Sequence, residues 1–205
     1  SARPVWHSAL VPILFLTGAL VSGAALLIAI TAFAHPLKHE HKPEVVSLMA
    51  KIVVGLLLLD IMLEWAEFSI PLWYGVGHET HTLLLLLFGQ YWWVFWIVHV
   101  LIGTAVPLVI LMRARNVKWL GFAGLLVATT FMAVRLNIVN PALVTPEIDG
   151  LQNSFRDKRL SFTYLPTTHE WLVVVFIVCL GIGLFAIASR LLAGPGRAGV
   201  QDNPV

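Results

Sequence analysis

Five long apolar windows constrain the fold of this 205-residue chain more than any other feature. They cover residues 8–34, 45–68, 91–112, 119–138 and 170–192. About 20 apolar residues span the hydrocarbon core of a bilayer as a helix, which satisfies its own backbone groups where there is no water. We therefore predict an all-α, polytopic transmembrane bundle with about five spans. It forms one domain over residues 1–193, and residues 194–205 are a polar, flexible tail.

The charged fraction excludes a soluble domain. Only 12% of the residues are charged and 59% are hydrophobic, whereas a soluble domain carries roughly 25% charged residues. The net charge of +2 gives no indication of nucleic-acid binding. Cys179 is the single cysteine, so an intrachain disulfide is impossible.

Proline and glycine predict where the helices end. The apolar run 82–88 is too short to span, so it is predicted to be a half-helix that breaks at Gly89 before the third span. Pro107 is predicted to kink that span. The prolines expected at helix edges are Pro36, Pro43, Pro71, Pro141 and Pro166.

Basic residues in the connections predict the orientation, because cytoplasmic loops carry an excess of lysine and arginine. Seven lie on the side of the first loop and the C-terminus: Lys38, Lys42, Arg113, Arg115, Lys118, Arg190 and Arg197. Four lie on the other side: Arg3, Arg156, Lys158 and Arg159. We predict an outside N-terminus and a cytoplasmic C-terminus.

Ionisable residues within the spans are the best candidates for function, because charge is costly in hydrocarbon. Asp60, Glu64 and Glu67 have helical spacing on one face of the second span. Arg135 reaches a similar depth in the fourth span, and His99 lies about 12 Å below the start of the third. We predict that Asp60, Glu64 and His99 transfer protons or contact a ligand, with Arg135 as the electrostatic partner. The alternative is a structural ion pair between Arg135 and Asp60 or Glu64.

A second set of residues is predicted to lie in the vicinity of the ligand. Tyr91 and Trp96 could stack on a flat ring or simply belong to an interfacial aromatic belt. Glu67, together with His169 and Glu170 at the start of the fifth span, could be ligand neighbours or helix caps. A haem held by His99 and His169 is a weaker alternative, and no metal site is predicted.

Several segments together resemble the polysulfide-reductase membrane-subunit family, also called NrfD-like. They extend over most of residues 3–193: 3–7, 12–15, 22–23, 87–92, 95–96, 103–107, 135–139, 146, 150–151, 159–160, 164–167 and 170–171. Their order and spacing carry the resemblance. Members of the family have eight to ten spans, so this chain is similar to the later half, as a fragment or as one part of a split subunit.

The resemblance implies a membrane subunit of a quinone-linked oxidoreductase in the bacterial cytoplasmic membrane. Such subunits exchange electrons and protons with menaquinone or ubiquinone and hold no redox cofactor of their own. Expected partners are a ferredoxin-like iron–sulfur subunit and a molybdopterin or multihaem cytochrome subunit. The loop 140–168, with its charged run 156–159, is expected to dock the iron–sulfur partner. A haem-b anchor of a similar complex, a proton channel or transporter, and a purely structural anchor remain alternatives.

Overall fold

The computed structural model describes residues 10–33, 41–75, 78–144 and 166–193. These stretches contain no strand. Their helices are α1 (Leu10–Phe33), α2 (Lys42–Tyr74), α3 (His78–Leu87), a π-helix (Val94–Ala105), α4 (Val106–Arg113), α5 (Val117–Val144) and α6 (Thr168–Ala193). Five segments are long and apolar enough to cross a membrane, with the π-helix and α4 forming one of them. The predicted all-α fold with five spans is confirmed. The predicted tail 194–205 lies outside the described residues.

The chain divides into two compact units, Ser1–Phe162 and Thr163–Val205. In the first unit, α1 packs against both α5 and α2, and α5 also contacts the π-helix. The core there is built from small and β-branched side chains, including Val21, Ala25, Val53 and Val127. Small side chains let membrane helices approach closely, where van der Waals contact rather than water exclusion holds them together.

The closest approach of α1 and α5 depends on a glycine. A Cβ atom added to Gly124 would lie 2.5 Å from the carbonyl oxygen of Ala25 and 3.1 Å from the Cβ atom of Ile28. The backbone oxygen of a helix cannot rotate away as a flexible side chain can. Glycine is therefore required at this crossing.

Two prolines lie inside helices rather than at the predicted edges. Pro71 lies within α2, which ends at Tyr74, and Pro141 lies within α5, which ends at Val144. Each proline stands in the last turn of its helix and removes one intrahelical hydrogen bond there, because it has no N–H to donate. Gly75 then closes α2 with a left-handed φ of 62° and donates its N–H to the carbonyl of Pro71.

The third span begins as a π-helix, which the sequence did not predict. Val106 donates its N–H to Leu101, five residues earlier, and Pro107 follows directly. Proline lacks an N–H and its ring collides with the carbonyl four residues before it, here Gly103. A wider turn before the proline relieves that collision. His99 lies near the middle of this π-helix, and π turns are frequent at functional sites.

The predicted half-helix before the third span is α3, which begins one turn earlier than expected. Gly89 follows it and donates its N–H to the carbonyls of Leu84 and Leu85. A Cβ atom there would lie 2.6 Å from the oxygen of Leu85. Only glycine therefore fits this turn.

Candidate functional site

Asp60 and Thr17 join α2 to α1 within the apolar bundle. The Thr17 hydroxyl lies 2.9 Å from Oδ1 of Asp60 and 3.0 Å from the carbonyl oxygen of Ile13. Thr17 is buried and Asp60 is partly buried. A threonine in a helix can bond to the carbonyls three and four residues earlier, and the carbonyl oxygen of Leu14 also lies 3.2 Å away, so the single hydroxyl hydrogen of Thr17 has three possible acceptors. This contact fixes one carboxyl group of the predicted site.

Glu64 and His99 join α2 to the π-helix. Nε2 of His99 lies 3.5 Å from Oε2 of Glu64, and their side chains are 7% and 22% exposed. The histidine ring also packs edge-on against Phe95, with 5.6 Å between centroids. Within the described stretches, Nδ1 of His99 has no hydrogen-bond partner. The structure therefore brings together Asp60, Glu64 and His99, as the sequence predicted from their depth alone.

A cavity of about 80 Å³ opens beside the two carboxyl groups, and we call it the carboxylate cavity. A buried water needs roughly 10–15 Å³ of such volume, so this space admits several waters or part of a ring. Its apolar walls include Leu14, Phe68, Leu83, Leu86, Phe131 and Val134. Its polar walls are Asp60, Glu64, Glu67, Thr82, Arg135 and Asn137. The cavity lies at the end of the bundle where α1 begins and where α2 and α5 finish.

A second cavity of about 20 Å³ also borders the same two carboxyl groups, and we call it the histidine cavity. Asp60 and Glu64 line both spaces, whereas His99, Thr104 and Thr130 line only this one. Its volume suits about one water molecule. The two carboxyl groups therefore border both a larger, mostly apolar space and a smaller, more polar one.

Arg135 stands at the wall of the carboxylate cavity with its guanidinium 5.6 Å from the centroid of the Phe15 ring. This is a cation–π distance. No carboxylate of the described residues lies within ion-pairing distance of Arg135. The structural ion pair of Arg135 with Asp60 or Glu64, which the sequence left open, therefore does not form among these residues. Arg135 shares the cavity with the carboxyl groups without neutralising them by contact.

The other predicted neighbours fall in three places. Glu67 lines the carboxylate cavity. Tyr91 is buried in an apolar cluster with Leu83 and Phe95, of which Leu83 also lines the carboxylate cavity, and Trp96 donates its Nε1–H to the carbonyl of Leu87. Neither aromatic residue lines the two cavities. Their predicted contact with a ring is therefore not supported by this geometry.

His169 and Glu170 lie in the second unit, at the start of α6, and both are exposed. Oε2 of Glu170 accepts hydrogen bonds from the backbone N–H and the hydroxyl of Thr167, at 2.6 and 3.0 Å. The N–H of Glu170 in turn donates to the Thr167 hydroxyl at 3.4 Å. This reciprocal pattern is a capping box. The geometry of Glu170 is therefore that of a helix cap, one of the two roles that the sequence left open.

Two residues at the site escaped the sequence analysis. Thr17 and Asn137 are short polar side chains in apolar spans, and such residues often bond only to their own helix. The one available signal was helical register. Asn137 lies three residues after Val134 and six after Phe131, on the face of α5 that lines the carboxylate cavity.

Comparison with known proteins places the chain beside membrane subunits of redox complexes. The family model described as "Polysulphide reductase, NrfD" matches residues 1–147. The carboxylates, His99, Arg135 and Asn137 fall inside that match, whereas the resembling segments after residue 147 fall outside it.

Two relatives align over nearly the whole chain. A selenate reductase subunit of Mesobacillus selenatarsenatis is 33% identical over 93% of this chain and 45% of its own length. The Hdr-like menaquinol oxidoreductase integral membrane subunit of Archaeoglobus fulgidus is 28% identical over 94% of this chain and 51% of its own. The chain thus spans about half the length of these relatives. No solved structure matches.

Proposed function

Because the chain belongs to the NrfD polysulphide reductase family, we propose that it is the membrane subunit of a quinone-linked oxidoreductase. It exchanges electrons and protons between the quinone pool and an iron–sulfur partner subunit. The observation that carries this proposal is the carboxylate cavity, which combines apolar walls with the carboxyl groups of Asp60 and Glu64. One relative is named as a menaquinol oxidoreductase subunit, which favours menaquinone as the substrate.

The residues of the cavity fit a quinone headgroup. A quinone ring is flat and apolar with two polar oxygens, so it needs an apolar slot with a few polar groups at its edge. Phe68 and Phe131 supply apolar wall, and the carboxyl groups, Arg135 and Asn137 supply the polar edge.

Protons are the part of the chemistry that these side chains perform. A quinol oxidised to a quinone gives up two electrons and two protons. Asp60 and Glu64, when ionised, each have an oxygen that can accept one proton at the cavity wall. Glu64 can pass its proton to Nε2 of His99, 3.5 Å away, which lines the histidine cavity. The electrons leave to the iron–sulfur partner, and the reverse sequence reduces a quinone.

Thr17 suits a carboxyl group that gains and loses a proton. When Asp60 is ionised, the Thr17 hydroxyl can donate to its Oδ1 atom across 2.9 Å. When Asp60 is protonated, the carboxylic acid can donate to Thr17, and Thr17 can donate to the carbonyl of Ile13 at 3.0 Å. One hydroxyl thereby satisfies both protonation states without movement of a helix.

Replacing Thr17 by valine is expected to lower quinol-dependent turnover by about tenfold. The change keeps the side-chain shape but removes a hydrogen bond to a charged group, worth roughly 1.5 kcal/mol. The measurement is the turnover of the purified complex at saturating quinol. Thr129→Val is the matched control, because Thr129 is exposed on α5 and bonds only to its own helix. Equal effects of both changes would refute the role of Thr17.

Location and partners complete the proposal. We place the chain in the bacterial cytoplasmic membrane, with the N-terminus outside and the carboxylate cavity near that surface. The partners are a ferredoxin-like iron–sulfur subunit and a molybdopterin or multihaem cytochrome subunit; one relative is itself named as a subunit of a reductase. Most of the loop 140–168, predicted to dock the partner, lies outside the described residues.

Purification of the native complex tests the function. We expect an iron–sulfur protein to co-purify with this chain, and its clusters to become reduced, as seen by electron paramagnetic resonance, when a menaquinol analogue is added without oxygen. Clusters that respond to dithionite but not to the quinol would contradict the proposal. A haem-b absorption band in the purified chain would favour the haem anchor instead.

A further inference from the structure

Asn137 is a buried amide that the proton chemistry above does not use. It is 7% exposed, in the last part of α5, and it lines the carboxylate cavity. Its Nδ2 atom has no hydrogen-bond partner among the residues that the structure describes. A buried N–H group without an acceptor loses its bonds to water and gains nothing in return. An acceptor from outside these residues is therefore required.

The cavity that Asn137 lines can supply that acceptor. Phe131, Val134 and Asn137 follow each other at intervals of three residues, and all three line the carboxylate cavity. Asp60 and Glu64 of α2 line the same cavity. A molecule that fills it therefore lies beside both Asn137 and the two carboxyl groups.

We infer that Asn137 is a binding residue for a ring oxygen of the cavity's occupant, a quinone carbonyl in one redox state and a quinol hydroxyl in the other. This inference rests on the proposed function. The amide is neutral and does not ionise near neutral pH, yet it holds both a donor and an acceptor. Nδ2 donates to the carbonyl oxygen of a quinone, and Oδ1 accepts from the hydroxyl of a quinol. Asn137 binds the ring, while Asp60 and Glu64 take its protons.

An equilibrium binding measurement tests this role directly. The full complex in lipid nanodiscs is titrated with a short-tailed menaquinone analogue and with a naphthalene analogue that carries the same tail but no ring oxygens. Asn137→Leu keeps a similar volume and removes both hydrogen-bonding groups. We expect it to weaken binding of the quinone analogue by about tenfold and to leave binding of the naphthalene analogue within about twofold.

Controls separate this inference from the proposed function and from a folding defect. Thr129→Val on the same helix should bind both analogues as the wild type does. The serine of Asn137→Ser retains polarity but is too short to reach the ring, so this variant should also lose quinone affinity. It replaces Asn137→Leu in the test if that variant fails to assemble. Unchanged quinone affinity in either Asn137 variant, or equal loss for both analogues, would overturn the role of Asn137. A wild-type complex that binds no quinone analogue would instead overturn the proposed function, and this inference with it.

Discussion

Quinol-dependent turnover is expected to fall at least about a hundredfold when Asp60→Asn and Glu64→Gln are combined. The two amides keep the size of the side chains but cannot accept a proton, and a positioned acid or base contributes roughly 10²- to 10⁴-fold to a rate. Asp60 and Glu64 are the two carboxyl groups that line both cavities. The double change therefore removes every carboxyl acceptor that the two cavities share. The measurement is steady-state turnover with natural and short-tailed quinols.

A control on the same helix shows whether this loss is specific. Glu44→Gln removes a carboxylate from the exposed first turn of α2, away from both cavities, and turnover should stay within about twofold of the wild type. Retention of the complex on purification shows that the double variant assembles. Full turnover of an assembled double variant, with both kinds of quinol, would remove Asp60 and Glu64 from the mechanism.

Assembly of the bundle is expected to fail when Gly124 is replaced by leucine. Even the first added carbon would lie 2.5 Å from the backbone oxygen of Ala25, so α1 and α5 must move apart. Overpacking of this kind costs roughly 1–3 kcal/mol, and separating two core helices also opens the wall of the carboxylate cavity. We expect a lower free energy of unfolding in detergent and much less chain in the membrane.

Gly23 provides the matched control for that substitution. It lies on α1 like Ala25, but a Cβ atom at Gly23 meets nothing within 4 Å. Gly23→Leu should therefore leave the free energy of unfolding within about 1 kcal/mol of the wild type. If the two leucine variants unfold alike, the close contact of α1 and α5 does not hold the bundle together.

Helical register explains why the sequence could predict the acidic part of the site. Asp60 and Glu64 are four residues apart, so any helix places them on one face, and their cost in hydrocarbon excludes an exposed position. The comparable depth of Glu64 and His99 also followed from the sequence, because both lie in spans that begin or end near the same surface, whereas their 3.5 Å contact depended on the packing of the helices. Charge and spacing can be read directly from the sequence, so the acidic part of the site could be predicted from it.

Other features depended on packing, which register does not determine. Thr17 and Asn137 cost little in a span whether or not they touch a ligand, so their identity carried no signal until neighbouring helices were in place. Arg135 was expected as the electrostatic partner of the carboxyl groups; it lines the same cavity, and its guanidinium lies over the ring of Phe15. The π-helix needs a widened turn that apolar periodicity cannot distinguish from an α-helix. Tyr91 entered an apolar cluster because α3 folds back over the third span.

Photoaffinity labelling of the native complex tests the central claim most directly, namely that a quinone occupies the carboxylate cavity. An azido-quinone is bound, photolysed and located by mass spectrometry of the digested chain. The account predicts label in peptides from the start of α1 and the ends of α2 and α5, around residues 11–15, 60–68 and 131–137, and its loss when excess menaquinone competes. If the label that menaquinone displaces is found only in other segments, and none is found in these three, the result contradicts the account.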